Sequence, residues 1–200
     1  RCLAALGGIA DAARAGRVIV KPNVHSSHPG APFHGSTTSP AMLRAVLRVL
    51  LEDAGIPPTR LLVAERSAVG ADTRESMRNA GLLRVVEEMG VAFADMGEMP
   101  TTEFDFGGVL ARAPIPVLEG FLVNLPVAKT HVQTTISGAV KNLKGILDDE
   151  GKKRFHRAGL HGPVAALSAA AKWGVHLMDA RFSLNHGPTA PLEIPIPSVA

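Results

Sequence analysis

Short apolar runs alternate along this chain with amphipathic stretches of about a dozen residues. The apolar runs predict buried strands at 17–21, 61–65, 91–95, 120–125 and 175–179, and a weaker strand at 109–113. The amphipathic stretches predict helices at 3–15, 40–54, 73–88, 138–147 and 163–173. Such alternation is typical of an α/β fold, in which a mainly parallel sheet carries helices on both faces. We expect a single domain over residues 1–200, with two small lobes around a cleft as the alternative arrangement.

Capping residues predict where several helices begin and end. Ser39 has the character of an N-cap, and Pro40 that of a first helical residue. Gly55 is expected to end this helix. Gly81 is expected to kink or split the next one, because glycine is a poor helix former. Ser137 is expected to cap the helix that runs to about residue 147.

The composition is that of an ordinary globular protein, with 46% apolar and 20% charged residues. Cys2 is the single cysteine, which excludes an internal disulfide framework and an iron–sulfur cluster bound by four thiolates of this chain alone. No apolar run reaches the roughly 18 residues of a transmembrane helix, so no membrane association is expected. No signal peptide is visible, so the default expectation is a cytoplasmic location. The chain opens at Arg1 without Met, so a leader sequence that precedes Arg1 is the alternative.

Positive charge is concentrated in one part of the chain. The formal net charge is only +3, but five of the seven lysines lie between Lys129 and Lys153. A cleft lined with one sign of charge concentrates ions of the other sign, so this segment predicts a small anionic ligand. Nucleic acid is not expected, because the chain has no Tyr and few other aromatic side chains on which bases could stack. The Walker A and Rossmann glycine patterns are both missing.

Polar side chains stand near the ends of several predicted strands, where parallel sheets bind their ligands. Lys21 and Asn23 follow the first strand, and His25 comes soon after them. Glu65 ends the second predicted strand, and Asp179 ends the last. We expect Lys21 and Asn23 to bind an anion, and we take His25, Glu65 and Asp179 as candidate metal ligands. The alternative interpretation is a solvated loop with scattered histidines.

A second group of polar residues begins after the 120–125 run. Lys129 and His131 are two residues apart, so they share one side of an extended segment. Lys141 and Lys144 are three apart and share a helical face, where they repel each other unless an anion or an acidic partner lies between them. The alternative is an exposed basic face. His156 is a candidate general acid or base, or a metal ligand.

These pieces join further segments into a pattern that covers nearly the whole chain. Its parts are Val20-Lys21-Pro22-Asn23, Thr37-Thr38-Ser39-Pro40, Val63-Ala64-Glu65-Arg66-Ser67, Asn79-Ala80-Gly81-Leu82, Val123-Asn124-Leu125-Pro126, Lys129-Thr130-His131 and Ser137-Gly138-Ala139-Val140-Lys141-Asn142-Leu143-Lys144-Gly145, with His156, Asp179 and Gly187-Pro188. This pattern resembles the domain-of-unknown-function 362 family. Its motifs add Thr38 and Asn142 to the candidate substrate-binding residues.

The resemblance implies a link to iron–sulfur proteins, since some members carry a ferredoxin-like module with two four-iron clusters. This chain contains no such module, so a cluster would come from a ferredoxin-like partner or a missing segment. The family is also remotely similar to the nickel-dependent lactate racemase group, whose site uses Lys and His in a cleft between α/β lobes. The chain departs from the family in its histidine-rich loop at 24–36 and in its tail after Gly187-Pro188, which predicts a domain truncated at its C-terminus.

Two classes of function fit these residues. The leading hypothesis is an enzyme acting on a small anionic metabolite, as an isomerase or racemase or in a redox step. Its candidate catalytic residues are His131, Lys129 and His156, and its candidate substrate-binding residues are Lys21, Asn23, Thr38, Lys141, Asn142 and Lys144. Whether a divalent Zn, Fe or Ni ion assists is left open. The alternative is a non-catalytic anion- or nucleotide-binding module, or an iron–sulfur electron-transfer accessory.

Overall fold

The computed structural model describes residues 8–25, 35–131, 133–171, 173–184 and 196–197. Its elements, in chain order, are α1 (Gly8–Arg14), β1 (Val18–Lys21), α2 (Pro40–Arg48), β2 (Leu61–Glu65), α3 (Thr73–Asn79), α4 (Leu82–Glu88), β3 (Ala92–Asp95), β4 (Thr101–Asp105), β5 (Leu110–Pro114), α5 (Ile115–Glu119), β6 (Phe121–Asn124), β7 (Lys129–His131), β8 (Thr135–Ser137), α6 (Ala139–Asn142), α7 (Asp149–Arg157), α8 (His161–Ala170), β9 (Trp173–His176), β10 (Phe182–Ser183) and β11 (Ile196–Pro197). A π-helical turn (Val49–Asp53) extends α2, and short 3₁₀ turns lie at Pro58–Arg60 and Leu143–Ile146.

Five parallel strands form the central sheet, in the order β3-β2-β1-β6-β9. The prediction of an α/β fold with a mainly parallel sheet is therefore confirmed. The order reverses at β1, because the chain first adds strands on one side of β1 and then returns to add β6 on the other. Connections that leave β1 and β6 diverge at such a point and open a crevice beyond the carboxyl ends of the strands.

Two apolar cores lie on opposite faces of this sheet. Side chains alternate along a strand, so Val18 and Val20 of β1 belong to one core and Ile19 to the other. The first core is completed by α2, α3 and α4, and the second by the β4–β5 hairpin with α7 and α8. Helices thus cover both faces, as predicted. Among the described helices, none has both the length and the apolar character needed to cross a bilayer.

The predicted helix boundaries are partly confirmed. Ser39 caps α2, with its hydroxyl accepting a hydrogen bond from the Met42 amide at 3.2 Å, and Pro40 is the first helical residue. Gly55 follows the π-helical turn with a φ of 62°, which glycine adopts without strain. Gly81 has a φ of 72° and separates α3 from α4, so the predicted split of this helix is confirmed.

Several predicted elements were wrong. Ser137 does not cap a helix, because it pairs with Lys129 in the β7–β8 hairpin and α6 begins only at Ala139. A strand that the sequence did not predict, β4, precedes β5 and pairs with it across Gly107 and Gly108. The last strand of the sheet, β9, lies two residues earlier than predicted and ends at residue 176. The first predicted helix is confirmed over 8–14, and residues 3–7 lie outside the described residues.

Candidate functional site

A cavity of about 450 Å³ lies at the carboxyl ends of β1 and β2 and beside the β7–β8 hairpin. Lys21 reaches it from the end of β1 and Glu65 from the end of β2. The segment that follows β6 supplies Lys129 and His131, and α6 with its 3₁₀ extension supplies Lys141 and Lys144. The cavity therefore occupies the crevice that the strand order predicts.

Cations dominate the lining of this cavity. Six of the seven lysines of the chain lie there together with one arginine, and the seventh, Lys172, falls outside the described residues. Among the described lining residues, Glu65 is the one carboxylate. The lining cations are Lys21, Arg66, Lys129, Lys141, Lys144, Lys152 and Lys153. Such an excess of one charge in a partly enclosed space concentrates anions.

Lys21 and Glu65 form an ion pair at the floor of the cavity, and both side chains are only 1% exposed. The Lys21 Nζ lies 2.8 Å and 3.0 Å from the two carboxylate oxygens. The amides of Val24 and Arg66 also donate to the carboxylate, at 3.2 Å and 2.8 Å. Burial raises the pKa of Glu65, and Lys21 acts in the opposite direction. The pair is thus mutually neutralised, which leaves the other cations without a carboxylate from the cavity floor.

Gly145 leaves space for this ion pair because it has no side chain. A Cβ atom added at Gly145 would lie 2.9 Å from the Lys21 Nζ and 3.5 Å from a carboxylate oxygen of Glu65. Contacts under 3.0 Å force a neighbour to move, so any larger residue at this position would displace the lysine. The glycine is required here for a close approach between the 3₁₀ turn and the ion pair.

The other lysines differ in their partners. Lys129 donates to the carbonyl of Ser36 at 2.7 Å, and Lys152 donates to that of Ser67 at 2.6 Å. Among the described residues, Lys141 has no hydrogen-bond or ion-pair partner, although it is half-buried. Burial is the main cause that lowers the pKa of Lys129 to about 7 and those of Lys141 and Lys152 to about 8. These amines therefore change charge within the neutral to mildly alkaline range.

Two histidines and one amide connect the β7–β8 hairpin to α7. The Nδ1 atom of His131 accepts hydrogen bonds from the amides of Gln133 and Thr134, at 3.1 Å and 3.4 Å. The Gln133 side-chain oxygen faces Nδ1 of His156, whose Nε2 atom contacts the Nζ of Lys144. These partners assign a neutral His131 protonated on Nε2 and a neutral His156 protonated on Nδ1.

The electrostatic surroundings support neutral imidazoles. Burial, with the nearby lysines, lowers the pKa values of His131 and His156 to about 4. Burial and Lys129 also lower the pKa of His25 to about 3. Burial, followed by the positive charge of Lys141, lowers the pKa of Lys144 to about 7. At neutral pH the cavity therefore combines uncharged imidazoles with amines close to their titration points.

Two polar atoms of the lining are buried without a hydrogen-bond partner among the described residues. They are the Nδ1 of His25 and the Oγ of Ser67. An unsatisfied buried polar atom costs about 1–3 kcal/mol. A ligand with complementary polar groups would remove this cost, so both atoms are suited to contact one.

The comparisons with known proteins agree with the residue pattern. The family model of a domain of unknown function, DUF362, matches residues 18–196. The chain belongs to the DUF362 family. Among its relatives is a "Thylakoid-associated protein" of Synechocystis sp., which is 27% identical over 153 residues. That match covers 76% of this chain but 46% of the relative, so the chain spans less than half of the relative's length.

One solved structure also resembles this DUF362 chain. A crystal structure of a Thermotoga maritima protein aligns with 98% of this chain and 51% of its own, at a TM-score of 0.44 and 15% sequence identity. So distant a likeness carries no argument about function. The predicted remote similarity to the lactate racemase group stays a prediction, as do the iron–sulfur link and the cytoplasmic location.

The structure brings most of the predicted site residues of this DUF362 domain to the cavity. The predicted catalytic residues all line it, as do all predicted substrate-binding residues except Thr38. Thr38 instead connects two loops: its hydroxyl accepts from the Asn23 amide at 2.8 Å and donates to the Leu125 carbonyl at 2.7 Å. Asn142 lines the cavity, but its amide nitrogen donates to Asn124 and to the Pro22 carbonyl, at 2.7 Å and 3.2 Å.

The three predicted metal ligands are not brought together. Asp179 lies outside the cavity lining, where its carboxylate accepts from the Ser39 amide at 2.8 Å and so caps the start of α2. The carboxylate of Glu65 is occupied by Lys21. His25 does line the cavity. Within the described ranges, no group of three or more His, Cys, Asp or Glu residues is placed to hold a metal ion.

Sequence reasoning missed Gln133 and undervalued Lys152. Gln133 contacts two of the three cavity histidines, His131 and His156, yet nothing in its sequence neighbourhood distinguishes it from an ordinary turn residue. Lys152 was not among the predicted site residues, whereas the structure has it on α7, 4% exposed and in the cavity lining. The N-cap Asp148, which accepts from the Gly151 amide at 3.1 Å, is the signal that could have identified this helix.

Proposed function

We propose that this DUF362 protein is an enzyme that binds a small polyanionic metabolite in the lysine-lined cavity and transfers a proton on it. The observation that supports this most strongly is the imbalance of charge in the lining. Seven cationic side chains share a cavity of about 450 Å³ with one carboxylate, and that carboxylate is already paired with Lys21. A ligand with two or more negative charges would relieve this repulsion.

Lys141 is the natural anchor of such a ligand. It lacks a partner among the described residues, and its half-buried position leaves the ammonium open to the cavity. Lys152, on α7, also lines the cavity and presents a second charge. Charge-assisted hydrogen bonds in a site that excludes water are stronger than those between neutral groups. A small metabolite with two anionic groups would match this arrangement.

Proton transfer is assigned to the amine of Lys144 and the imidazoles beside it. A general base works best when its pKa lies near the operating pH, and the pKa of Lys144 is lowered to about 7. His131 carries its proton on Nε2, so it is suited to donate a hydrogen bond to a carbonyl or carboxylate oxygen. Together they favour abstraction of a proton beside a carbonyl group, as in an isomerase or racemase.

The donor set favours this proposal over a metal-assisted one. A divalent transition metal selects imidazoles and unpaired carboxylates. This lining contains three histidines, but its charged side chains are six lysines, one arginine and Glu65, which is already paired with Lys21. The ammonium groups would repel the cation as well. We therefore base the proposed chemistry on the side chains of the chain itself.

The binding half of the proposal is tested with Lys141→Gln. Titration calorimetry with pyrophosphate and with citrate is expected to show binding to the wild type and at least a tenfold weaker affinity in the variant, since a hydrogen bond to a charged group contributes about 1.5–3 kcal/mol. Arg84→Gln is the matched control, because it removes one positive charge from a side chain that is 82% exposed and outside the lining. Equal affinities of both variants and the wild type would contradict the proposal.

The catalytic half is tested by hydrogen exchange into deuterated water. Wild-type protein is incubated with lactate, malate, pyruvate or 2-oxoglutarate, and proton NMR follows the signal of the hydrogens beside the carbonyl or carboxylate. We expect loss of this signal for at least one compound, about a hundredfold slower exchange in Lys144→Gln, and an unchanged rate in Arg84→Gln. Binding without exchange of any compound would indicate the non-catalytic module instead.

A further inference from the structure

The six cavity lysines differ in the groups that contact their amino nitrogens, and three of them have carboxylate partners. Lys21 lies 2.8 Å from Glu65, Lys153 lies 2.7 Å from Glu150, and Lys152 lies 4.0 Å from Asp149. A neighbouring carboxylate stabilises the ammonium form of a lysine. These three side chains are therefore less suited to act as nucleophiles.

The remaining three lysines lack a carboxylate within ion-pair distance in the described part of the chain. Lys144 is engaged by the imidazole of His156, and Lys141 is half-buried and open to solvent. Lys129 is different, because it is 5% exposed and its Nζ has one partner among the described residues, the Ser36 carbonyl at 2.7 Å. An uncharged amine that donates one hydrogen to this carbonyl keeps its lone pair free.

The surroundings of Lys129 also favour the uncharged amine. Burial removes water from the ammonium, and the positive charge of Lys141 opposes a second one nearby, which together lower the pKa of Lys129 to about 7. A lysine that is desolvated and placed next to another cation is the usual form of an amine nucleophile for carbonyl compounds. His131 stands two residues along β7, on the same side of the strand, with its proton on Nε2.

We propose that Lys129 is a catalytic nucleophile that forms an imine with the carbonyl carbon of a 2-oxo carboxylate bound in the cavity. This inference rests on the proposed anion site, because Lys141 would hold the carboxylate while Lys129 attacks the adjacent carbonyl. It goes beyond that proposal in naming the class of substrate and the covalent step. Proton abstraction from the carbon next to an imine is easier than from the free ketone, so the two assignments support one mechanism.

The step balances without any further reactant. The Lys129 nitrogen forms a bond to the carbonyl carbon, while His131 donates a hydrogen bond from Nε2 to the carbonyl oxygen. The nitrogen gives up its two hydrogens as protons, and both are taken up by that oxygen. The C–O bond then breaks, and the oxygen leaves as water with both protons. The nitrogen–carbon double bond that remains is the imine, and no group is oxidised or reduced.

Reductive trapping tests the inference directly. The whole protein is incubated with 2-oxoglutarate and sodium cyanoborohydride, which reduces an imine to a stable secondary amine, and intact mass and peptide mapping locate the product. We expect one reduced 2-oxoglutarate adduct per chain, located on Lys129, and its loss in Lys129→Arg, which keeps a positive charge but has no nucleophilic amine. Lys153, which is exposed, serves as the internal control for non-specific reaction.

A second variant keeps the test informative if Lys129→Arg does not fold. Lys141→Gln removes the expected anchor of the carboxylate and is expected to lower the yield of the adduct on Lys129 at least tenfold. An adduct on Lys144, an even distribution over the lysines, or no adduct would overturn the inference. Malonate, which has two carboxylates but no ketone, separates the two proposals: if titration calorimetry shows that malonate binds while 2-oxoglutarate is not trapped, only the imine is wrong, and if neither compound binds, the anion site is wrong as well.

Discussion

Replacing Lys21 by Met is expected to lower the free energy of unfolding by about 3–5 kcal/mol, the usual cost of leaving one partner of a buried ion pair alone. Lys21 and Glu65 are each 1% exposed, so water does not reach the carboxylate that the substitution would leave behind. Two backbone amides would still donate to Glu65, but they carry no net charge to compensate it. The measurement is the urea-unfolding free energy at neutral pH.

Lys153→Met is the matched control for this prediction. Lys153 also forms an ion pair, with Glu150 at 2.7 Å, but both side chains are at least half exposed. Exposed ion pairs contribute about 0–1 kcal/mol, so a small change is expected there. A loss in Lys21→Met that is no larger than the loss in Lys153→Met would show that the buried pair is not what stabilises the cavity floor.

Gly145→Ala disturbs the same ion pair without removing a charge. The new Cβ would approach the Lys21 Nζ to 2.9 Å, and overpacking of this kind costs about 1–3 kcal/mol. Gly162→Ala is the control, since a Cβ there meets nothing within 4 Å and alanine favours the helix. If both alanine variants were equally stable, the close approach of Gly145 to the pair would have no energetic importance.

The sequence allowed much of the site to be predicted, because strand ends and side-chain periodicity are local properties. Lys21 and Glu65 were placed at the carboxyl ends of two parallel strands, and the structure has them there. The two-residue spacing of Lys129 and His131 predicted a shared side, and both line the cavity from β7. Local patterns therefore show which residues reach one edge of the sheet.

Local patterns do not show which of those residues bind each other. Glu65 was a candidate metal ligand, but its carboxylate binds Lys21, 44 residues earlier in the chain. Asp179 ended a predicted strand, but it caps a helix whose first turn is 140 residues away in sequence. Such pairings depend on how distant segments pack, and no periodicity or spacing in the sequence carries that information.

The cavity lysines are expected to make the unliganded protein more stable as the pH rises from 7 to 9. Below pH 7, Lys129 is protonated in both the folded and the unfolded chain, and the folded state bears the full cost of the buried charge. Above pH 7, the folded state releases this proton while the unfolded chain holds it up to a pH of about 10.4. The unfolded state then binds more protons, so stability rises with pH.

Lys129→Met isolates this contribution. The variant lacks the titrating amine, whereas Lys141, Lys144, Lys152 and Glu65 remain in both proteins. The difference in unfolding free energy, wild type minus variant, is expected to rise toward a slope of about 1.4 kcal/mol per pH unit between pH 7 and 9. His25 and His131 do not contribute there, because their pKa values are lowered to about 3 and 4. A flat difference across this range would mean that Lys129 keeps its proton in the folded chain up to pH 9, which would contradict a lowered pKa for this lysine.

Anion affinity is expected to change in the opposite direction over the same range. As Lys129, Lys144, Lys141 and Lys152 lose their protons, the cavity loses the charge that attracts pyrophosphate, so its dissociation constant rises while the unfolding free energy increases. A site that merely loosened at alkaline pH would lose affinity and stability together. Urea unfolding and titration calorimetry at pH 7, 8 and 9 distinguish these two cases. If the unfolding free energy rises with pH while the affinity for pyrophosphate falls, the buried lysines cost stability and serve to bind an anion. If the unfolding free energy and the affinity fall together, this interpretation is wrong.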